Sequence, residues 1–118
     1  MKYDLEERLV DFAVQVSDIV ESLPHTRTGN HLAGQLIRSG TSPALNYGEA
    51  QSAESRNDFI HKMKIILKEL RETRICLKII ARKRLMKQEE KCNAAADECN
   101  QLVAIFAKSI KTAESKRK

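Results

Sequence analysis

The chain of 118 residues is long enough for one domain of ordinary size and too short for two. Four Gly and two Pro exclude a turn-rich β-sandwich, 42% hydrophobic residues exclude a disordered chain, and 31% charged residues are typical of long helices. The net charge of +5 is polarised, because residues 1–59 carry −4 and residues 60–118 carry +9. This asymmetry permits binding of nucleic acid or another acidic partner, and equally permits docking of the basic face of one subunit on the acidic face of another.

The first predicted helix covers about residues 4–23. Asp4 fits an N-cap, and Glu6 and Glu7 lie where the helix dipole favours negative charge. Pro24 ends the helix. One apolar stripe recurs at steps of four and three residues and predicts packing against a neighbouring helix: Leu5, Leu9, Phe12, Val16, Ile19 and Leu23.

The second predicted helix covers about residues 29–53, with Thr28 as its candidate cap. Gly40 and Pro43 favour a helix break by propensity. Two interpretations are open: a turn that separates two short helices, or one long helix that is kinked at Pro43 within a packed bundle. The stripe keeps its spacing but becomes small and polar midway: Leu32, Leu36, Ser39, Pro43, Asn46, Ala50 and Ala53.

The third predicted helix covers about residues 56–83, with Ser55 as its cap and Asp58, three residues later, in the place of the Glu of a capping box. Its stripe consists of Phe59, Met63, Ile66, Leu70, Leu77 and Ile80.

After a short link, the fourth predicted helix covers about residues 88–113, and a basic tail covers residues 114–118. The stripe of the fourth helix includes Cys92, Ala95, Cys99, Leu102, Phe106, Ile110 and Ala113.

Four amphipathic helices with short links predict a single all-α domain over residues 1–118, folded as an antiparallel, up-down-up-down four-helix bundle. No apolar run is long enough to span a bilayer, and the acidic, polar N-terminus is unlike a signal peptide, so we expect a cytoplasmic protein. Cys76, Cys92 and Cys99 form an odd set without a CxxC motif, which predicts buried, reduced thiols.

Several spaced fragments between Gln35 and Leu70 carry a family resemblance. Gln-Leu-Ile-Arg-Ser at 35–39, Asn-Tyr-Gly-Glu-Ala at 46–50, Asn-Asp-Phe-Ile at 57–60 and Lys-Glu-Leu at 68–70 resemble the 23S rRNA-intervening-sequence family. That family in turn resembles the accessory variability determinant protein of diversity-generating retroelements. The resemblance implies a bacterial protein, a four-helix bundle with one long second helix, and a barrel-like homopentamer, but no reaction. The chain departs from the family's Asn-x-x-Glu-Gly pattern, because its Gly precedes Glu49.

A polar set shares one face of the second helix, and the third helix supplies two carboxylates one turn apart. This arrangement predicts a hydrogen-bonded network between the helices, centred on Arg38 and a carboxylate and formed by Gln35, Arg38, Ser39, Asn46, Glu49, Glu69 and Glu72. Ser39 and Ser42 lack a His at a spacing that would activate a nucleophile, and the three His form no metal-binding pair. We therefore expect no catalytic residue, no metal and no cofactor.

The basic outer face of the third helix and the link after it have two interpretations, a solvated surface or a site for phosphates. The residues concerned are Lys64, Lys68, Arg71, Lys78, Arg82, Lys83 and Arg84. Few aromatic residues are available to stack on bases, so any nucleic-acid binding should be electrostatic and weakly selective for sequence.

Two hypotheses follow for the function. The first is a non-enzymatic, oligomeric protein that binds RNA or DNA phosphates, or a nucleic-acid-processing partner, through this basic face. The second is a structural assembly module, in which the basic third helix contacts acidic residues of the first helix of another copy, such as Asp11 or Asp18. A hydrolase or nuclease lacks a supporting acidic cluster. We expect neither a membrane partner nor a small-molecule substrate.

Overall fold

A computed structural model describes residues 4–116, which form four helices and, over that range, no strand. The helices are α1 (Leu5–Ser22), α2 (Arg27–Gln51), α3 (Arg56–Lys83) and α4 (Glu89–Lys116). The all-α class and the four-helix bundle are thus confirmed. No helix in the described range is long and apolar enough to cross a membrane.

The helix N-termini show which polar side chains act as caps. Asp4 accepts a hydrogen bond from the backbone N–H of Glu6 at 3.0 Å, and Ser55 accepts one from Asp58 at 3.0 Å, as predicted. The expected cap of α2 is wrong: Thr26, not Thr28, accepts from the N–H of Gly29 at 3.0 Å. The helix therefore begins two residues earlier than predicted, at Arg27.

Gly29 allows the first turn of α2 to lie against the backbone of Pro24, because a Cβ at Gly29 would lie 2.0 Å from the carbonyl oxygen of Pro24. Only a residue without a side chain can lie so close to the backbone of the preceding turn. The link between α1 and α2 is short for that reason, and it brings the two helices into contact.

Helix α2 continues without interruption through Pro43, which is buried. The interpretation of two short helices separated by a turn is therefore wrong, and the alternative of one long helix holds. Pro43 has no N–H to donate along the helix, and its neighbours bond locally: the Thr41 hydroxyl donates to the carbonyl of Ile37 at 2.6 Å. A kink at Pro43 stays a prediction.

Neighbouring helices share one apolar core along the bundle axis. The buried side chains of largest volume are Phe12, Phe106, Leu9, Ile19, Leu36, Ile66 and Leu70. Helices α1 and α2 approach closely at Gly40, where a Cβ would lie 2.5 Å from a methyl carbon of Val16. Helices α1 and α4 share the smallest contact between neighbours, so that side of the bundle is the least tightly packed.

Helix α4 extends beyond its predicted end at residue 113 and reaches Lys116. The predicted basic tail at 114–118 is thus helical over its first three residues, whereas residues 117 and 118 lie outside the described range. Helix α3 ends at Lys83, and the next residue, Arg84, caps it in a left-handed conformation with φ 54° and ψ 48°. A left-handed residue reverses the chain direction after a helix and is usually Gly.

Candidate nucleic-acid interface

The basic residues predicted to bind phosphates are all exposed. Five of them follow α3 at steps that keep one face of a helix: Lys64, Lys68, Arg71, Lys78 and Arg82. Lys83 and Arg84 extend the row at the end of the helix. We call these seven residues the basic stripe. At 1.5 Å per residue, the part on α3 is about 27 Å long.

The charges of the basic stripe are almost uncompensated. Lys64 forms an ion pair with Glu114 of α4, with 3.0 Å between Nζ and Oε2. Within residues 4–116, the other six cations have neither an ion pair nor a hydrogen bond from their side chains. An exposed cation without a partner is available to bind an anion, because no salt bridge has to break first.

Two large apolar side chains lie among these cations. Ile75 and Ile79 are 51% and 43% exposed, and Ile75 continues the spacing of the stripe between Arg71 and Lys78. No aromatic residue belongs to the stripe, because Phe59 and Phe106 belong to the core and Tyr47 packs edge-on against Phe106 at 5.9 Å between ring centroids. The stripe can therefore contact a phosphate backbone or an apolar surface, but it has no aromatic ring to stack on bases.

The predicted polar network is centred on Arg38, as expected, but it is smaller than predicted. The Arg38 guanidinium donates to both carboxylate oxygens of Glu69, at 2.6 and 3.2 Å, to the side-chain oxygen of Gln35 at 3.2 Å, and to Glu72. The hydrogen bond that Arg38 donates to Glu69 is the largest cause of the raised pKa of Arg38. Glu69 is buried, whereas Arg38 remains half exposed. This cluster joins α2 to α3 at their midpoint.

The other predicted members lie outside this cluster. The Ser39 hydroxyl lies 2.9 Å from the hydroxyl of Thr73, and both residues are fully buried. Asn46 donates to Ser42 on its own helix, at 2.8 Å to the hydroxyl and 3.0 Å to the carbonyl. Glu49 lies near the C-terminal end of α2, away from Arg38, and accepts a hydrogen bond from Lys62 at 2.7 Å. The single network is therefore divided into separate contacts.

Sequence reasoning missed two polar contacts. Thr73 occupies the gap between Leu70 and Leu77 in the apolar stripe of α3, and that gap could have identified it as a buried polar residue. Arg8 donates to Glu98 at 2.7 and 2.9 Å and to Gln101 at 2.6 Å, which joins α1 to α4. No local pattern links residues that are ninety positions apart.

The three cysteines are buried and free, as predicted. The Cys99 thiol donates to the carbonyl of Leu70 at 3.2 Å, and the Cys92 thiol donates to that of Leu77 at 3.5 Å. Burial raises the pKa of all three thiols, that of Cys99 to about 12. At neutral pH they are protonated side chains of the core, and their protonation makes them poor nucleophiles.

Comparison with known proteins gives a family and a solved structure. A sequence model described as "23S rRNA-intervening sequence protein" matches residues 2–108. A crystal structure from Bacteroides thetaiotaomicron, described as a protein of unknown function from the S23 ribosomal protein family, has 29% sequence identity and a TM-score of 0.83. The similarity covers 92% of this chain and 99% of that one. No curated protein matches the chain.

Proposed function

The chain belongs to the 23S rRNA-intervening sequence protein family, and we propose that it binds the phosphate backbone of nucleic acid through the basic stripe without catalysing a reaction. The six unpartnered, exposed cations on one side of α3 and its end support this proposal. A nucleic-acid backbone gains entropy when cations of a protein displace its condensed counterions. A row of such cations therefore binds without a specific contact to any base.

The composition of the stripe predicts the character of the binding. Since it consists of Lys and Arg without aromatic side chains, affinity should depend on charge and shape and only weakly on sequence. If about six phosphates are contacted, affinity should fall roughly a thousandfold between 50 and 200 mM salt. In a closed homopentamer, which the family resemblance implies, five copies of the stripe would act together and strengthen the binding.

Fluorescence anisotropy with a labelled structured RNA, across a salt series from 50 to 400 mM, tests the proposal. Lys78→Glu combined with Arg82→Glu should weaken binding and reduce the salt slope by about two. The matched control is Lys91→Glu combined with Lys111→Glu, because both residues are exposed on α4 outside the stripe and the change in net charge is the same. Equal losses in both variants would show that net charge, and not the stripe, controls binding. Absence of affinity at 50 mM salt would refute the proposal.

A second candidate function, assembly with other copies, is favoured by the exposed apolar residues. On α1, Val10 and Val14 are 41% and 57% exposed on a helix rich in acidic residues. On α3, Ile75 and Ile79 are exposed among cations. Complementary surfaces at different places on one chain form a head-to-tail contact, which closes into a ring or extends into a filament. The basic stripe would then contact the acidic α1 of the next copy.

The two candidates use the same surface and can be separated by the mass in solution. If the stripe serves assembly, Lys64→Glu combined with Lys68→Glu should dissociate the oligomer, as measured by light scattering after gel filtration. An unchanged mass in this variant, or a monomeric wild type, would contradict the assembly hypothesis. If the wild-type chain is a monomer and binds RNA, the assembly hypothesis is wrong and the nucleic-acid proposal is supported.

A further inference from the structure

A wide-open cavity of about 410 Å³ lies at the end of the bundle where α1 begins and α4 ends. Its lining comes from all four helices, mostly from α3 and α4, beyond the point where Arg8 joins α1 to Glu98 of α4. Leu5 of α1 and the last two turns of α4 form its sides. The volume falls within the range of pockets that bind small molecules.

The cavity has an apolar wall. Leu5, Phe59 and Met63 contribute to it, together with the ring of Tyr47. Phe106 supports that ring with an edge-on contact, at an angle of 88° between the planes. Burial is the largest cause of the raised pKa of Tyr47, so its phenol stays neutral across the physiological range. This wall provides a stable surface for an apolar group of moderate size.

The rim of the cavity is cationic. Arg56 from the start of α3 and Lys108 and Lys116 from α4 line it, and all three are exposed. The hydroxyls of Ser109 and Thr112 add hydrogen-bonding groups. Among the described residues, no acidic side chain lines the cavity. The negative charges that help raise the pKa of the Tyr47 phenol are those of Asp4 and Glu6, at the start of α1.

We propose that this cavity binds an amphipathic organic anion, whose apolar body contacts Phe59 and Met63 and whose carboxylate, sulfonate or phosphate group lies against Lys108. An apolar wall alone would accept a neutral molecule, and cations alone would accept an inorganic ion. Their combination around one cavity selects a molecule that carries both features. No residue of the basic stripe lines the cavity, so this inference does not depend on the proposed nucleic-acid binding.

Titration with 8-anilinonaphthalene-1-sulfonate, an aromatic anion that fluoresces when it enters an apolar site, tests the proposal on the intact chain. We expect saturation at one molecule per chain, with displacement by octanoate but not by acetate or inorganic phosphate. Lys108→Glu should weaken binding by about fivefold, because it reverses one of three charges at the rim. Lys111→Glu is the matched control, since Lys111 is exposed on the same helix but does not line the cavity.

A second variant tests the apolar wall separately. Thr112→Trp introduces a large side chain at an exposed rim position and should abolish binding by filling the cavity, while circular dichroism shows unchanged helix content. Displacement by acetate or phosphate as effective as by octanoate would overturn the proposal, as would equal losses in the Lys108 and Lys111 variants. Unchanged binding in Thr112→Trp would place the probe elsewhere, for example at Val10 and Val14, and would also overturn it. Dissociation of an oligomer by Thr112→Trp would also overturn the proposal, because it would show that a second copy of the chain occupies the cavity.

Discussion

Three of the four glycines in α2, those beyond its first turn, provide a test of the packing between α1 and α2. A Cβ added at Gly34 or Gly48 would meet no atom within 4 Å, whereas at Gly40 it would lie 2.5 and 2.8 Å from the two methyl carbons of Val16. All three lie in the helix interior, where Ala is favoured over Gly by about 1 kcal/mol. The same substitution should therefore stabilise two positions and destabilise the third.

The magnitudes can be compared directly. Gly34→Ala and Gly48→Ala should each raise the free energy of unfolding by about 1 kcal/mol, since only the propensity changes. In Gly40→Ala the same gain is opposed by overpacking, which costs about 1–3 kcal/mol in a close-packed core. Val16 is fully buried and β-branched, so it cannot readily turn away. We expect a net loss of about 1 kcal/mol in Gly40→Ala, and thus a difference of about 2 kcal/mol from Gly34→Ala.

Urea unfolding followed by circular dichroism, at one protein concentration, measures this difference. For a slope of about 2 kcal/mol per molar urea, the midpoints of Gly34→Ala and Gly40→Ala should differ by about 1 M. In a Val16→Ala background the two methyl groups are absent and only the Cβ of residue 16, at 3.0 Å, stays close, so Gly40→Ala should cost clearly less than in the wild type. The reasoning is refuted if Gly40→Ala equals Gly34→Ala in the wild-type background, or if Gly40→Ala costs as much in the protein that carries Val16→Ala as in the wild type.

Three further predictions concern the end of α3, the buried hydroxyl pair and the thiols. Arg84→Gly should raise the free energy of unfolding by about 1 kcal/mol, because Gly adopts the left-handed conformation without steric cost, and it should slightly weaken RNA binding. A lower melting temperature in Arg84→Gly would contradict this. Thr73→Val should cost about 1–3 kcal/mol because it leaves the buried Ser39 hydroxyl without its partner, and adding Ser39→Ala should recover part of that loss in a double-mutant cycle. Additive losses would show that the two hydroxyls are independent. The pKa of the Cys99 thiol is about 12 in the folded state and about 9 in the unfolded state. Between these pH values the unfolded state binds fewer protons than the folded state. The free energy of unfolding should therefore fall as the pH rises above 9. Cys99→Ala should show a shallower fall over this range in urea unfolding at each pH, and identical pH profiles would contradict the prediction.

Apolar spacing was sufficient to predict the helices because their buried positions keep the period of the helix, even where a stripe becomes polar at Ser39 of α2 or Thr73 of α3. The stripe from Leu9 to Ile19 is buried, and the core of α4 follows the predicted positions through Ala113. The start of α2 required more information. Thr26 and Thr28 are equally good caps by residue type, and the close approach of Gly29 to Pro24, a contact between two chain segments, decides between them.

The candidate site shows the same division between local and distant contacts. The basic stripe was predictable because it belongs to one helix and its exposure follows from its spacing opposite the core. The predicted polar network included too many residues, because residues that share one face of a helix can lie several turns apart along it. Asn46 and Glu49 share that face with Arg38 but lie about two and three turns further along, where they bond to Ser42 and Lys62. The amphipathic cavity was absent from the prediction because its residues come from all four helices.

The ion pair between Arg8 and Glu98 has a practical consequence for measurements in salt. Each side chain is only 24% exposed, and the two hydrogen bonds between them are charge-assisted, so dissolved ions screen this pair weakly. The cations of the stripe are open to solvent and are screened strongly. Raising the ionic strength should therefore release bound RNA well before it loosens α1 from α4. One titration, followed at once by anisotropy and by circular dichroism, would resolve dissociation and unfolding as two separate events.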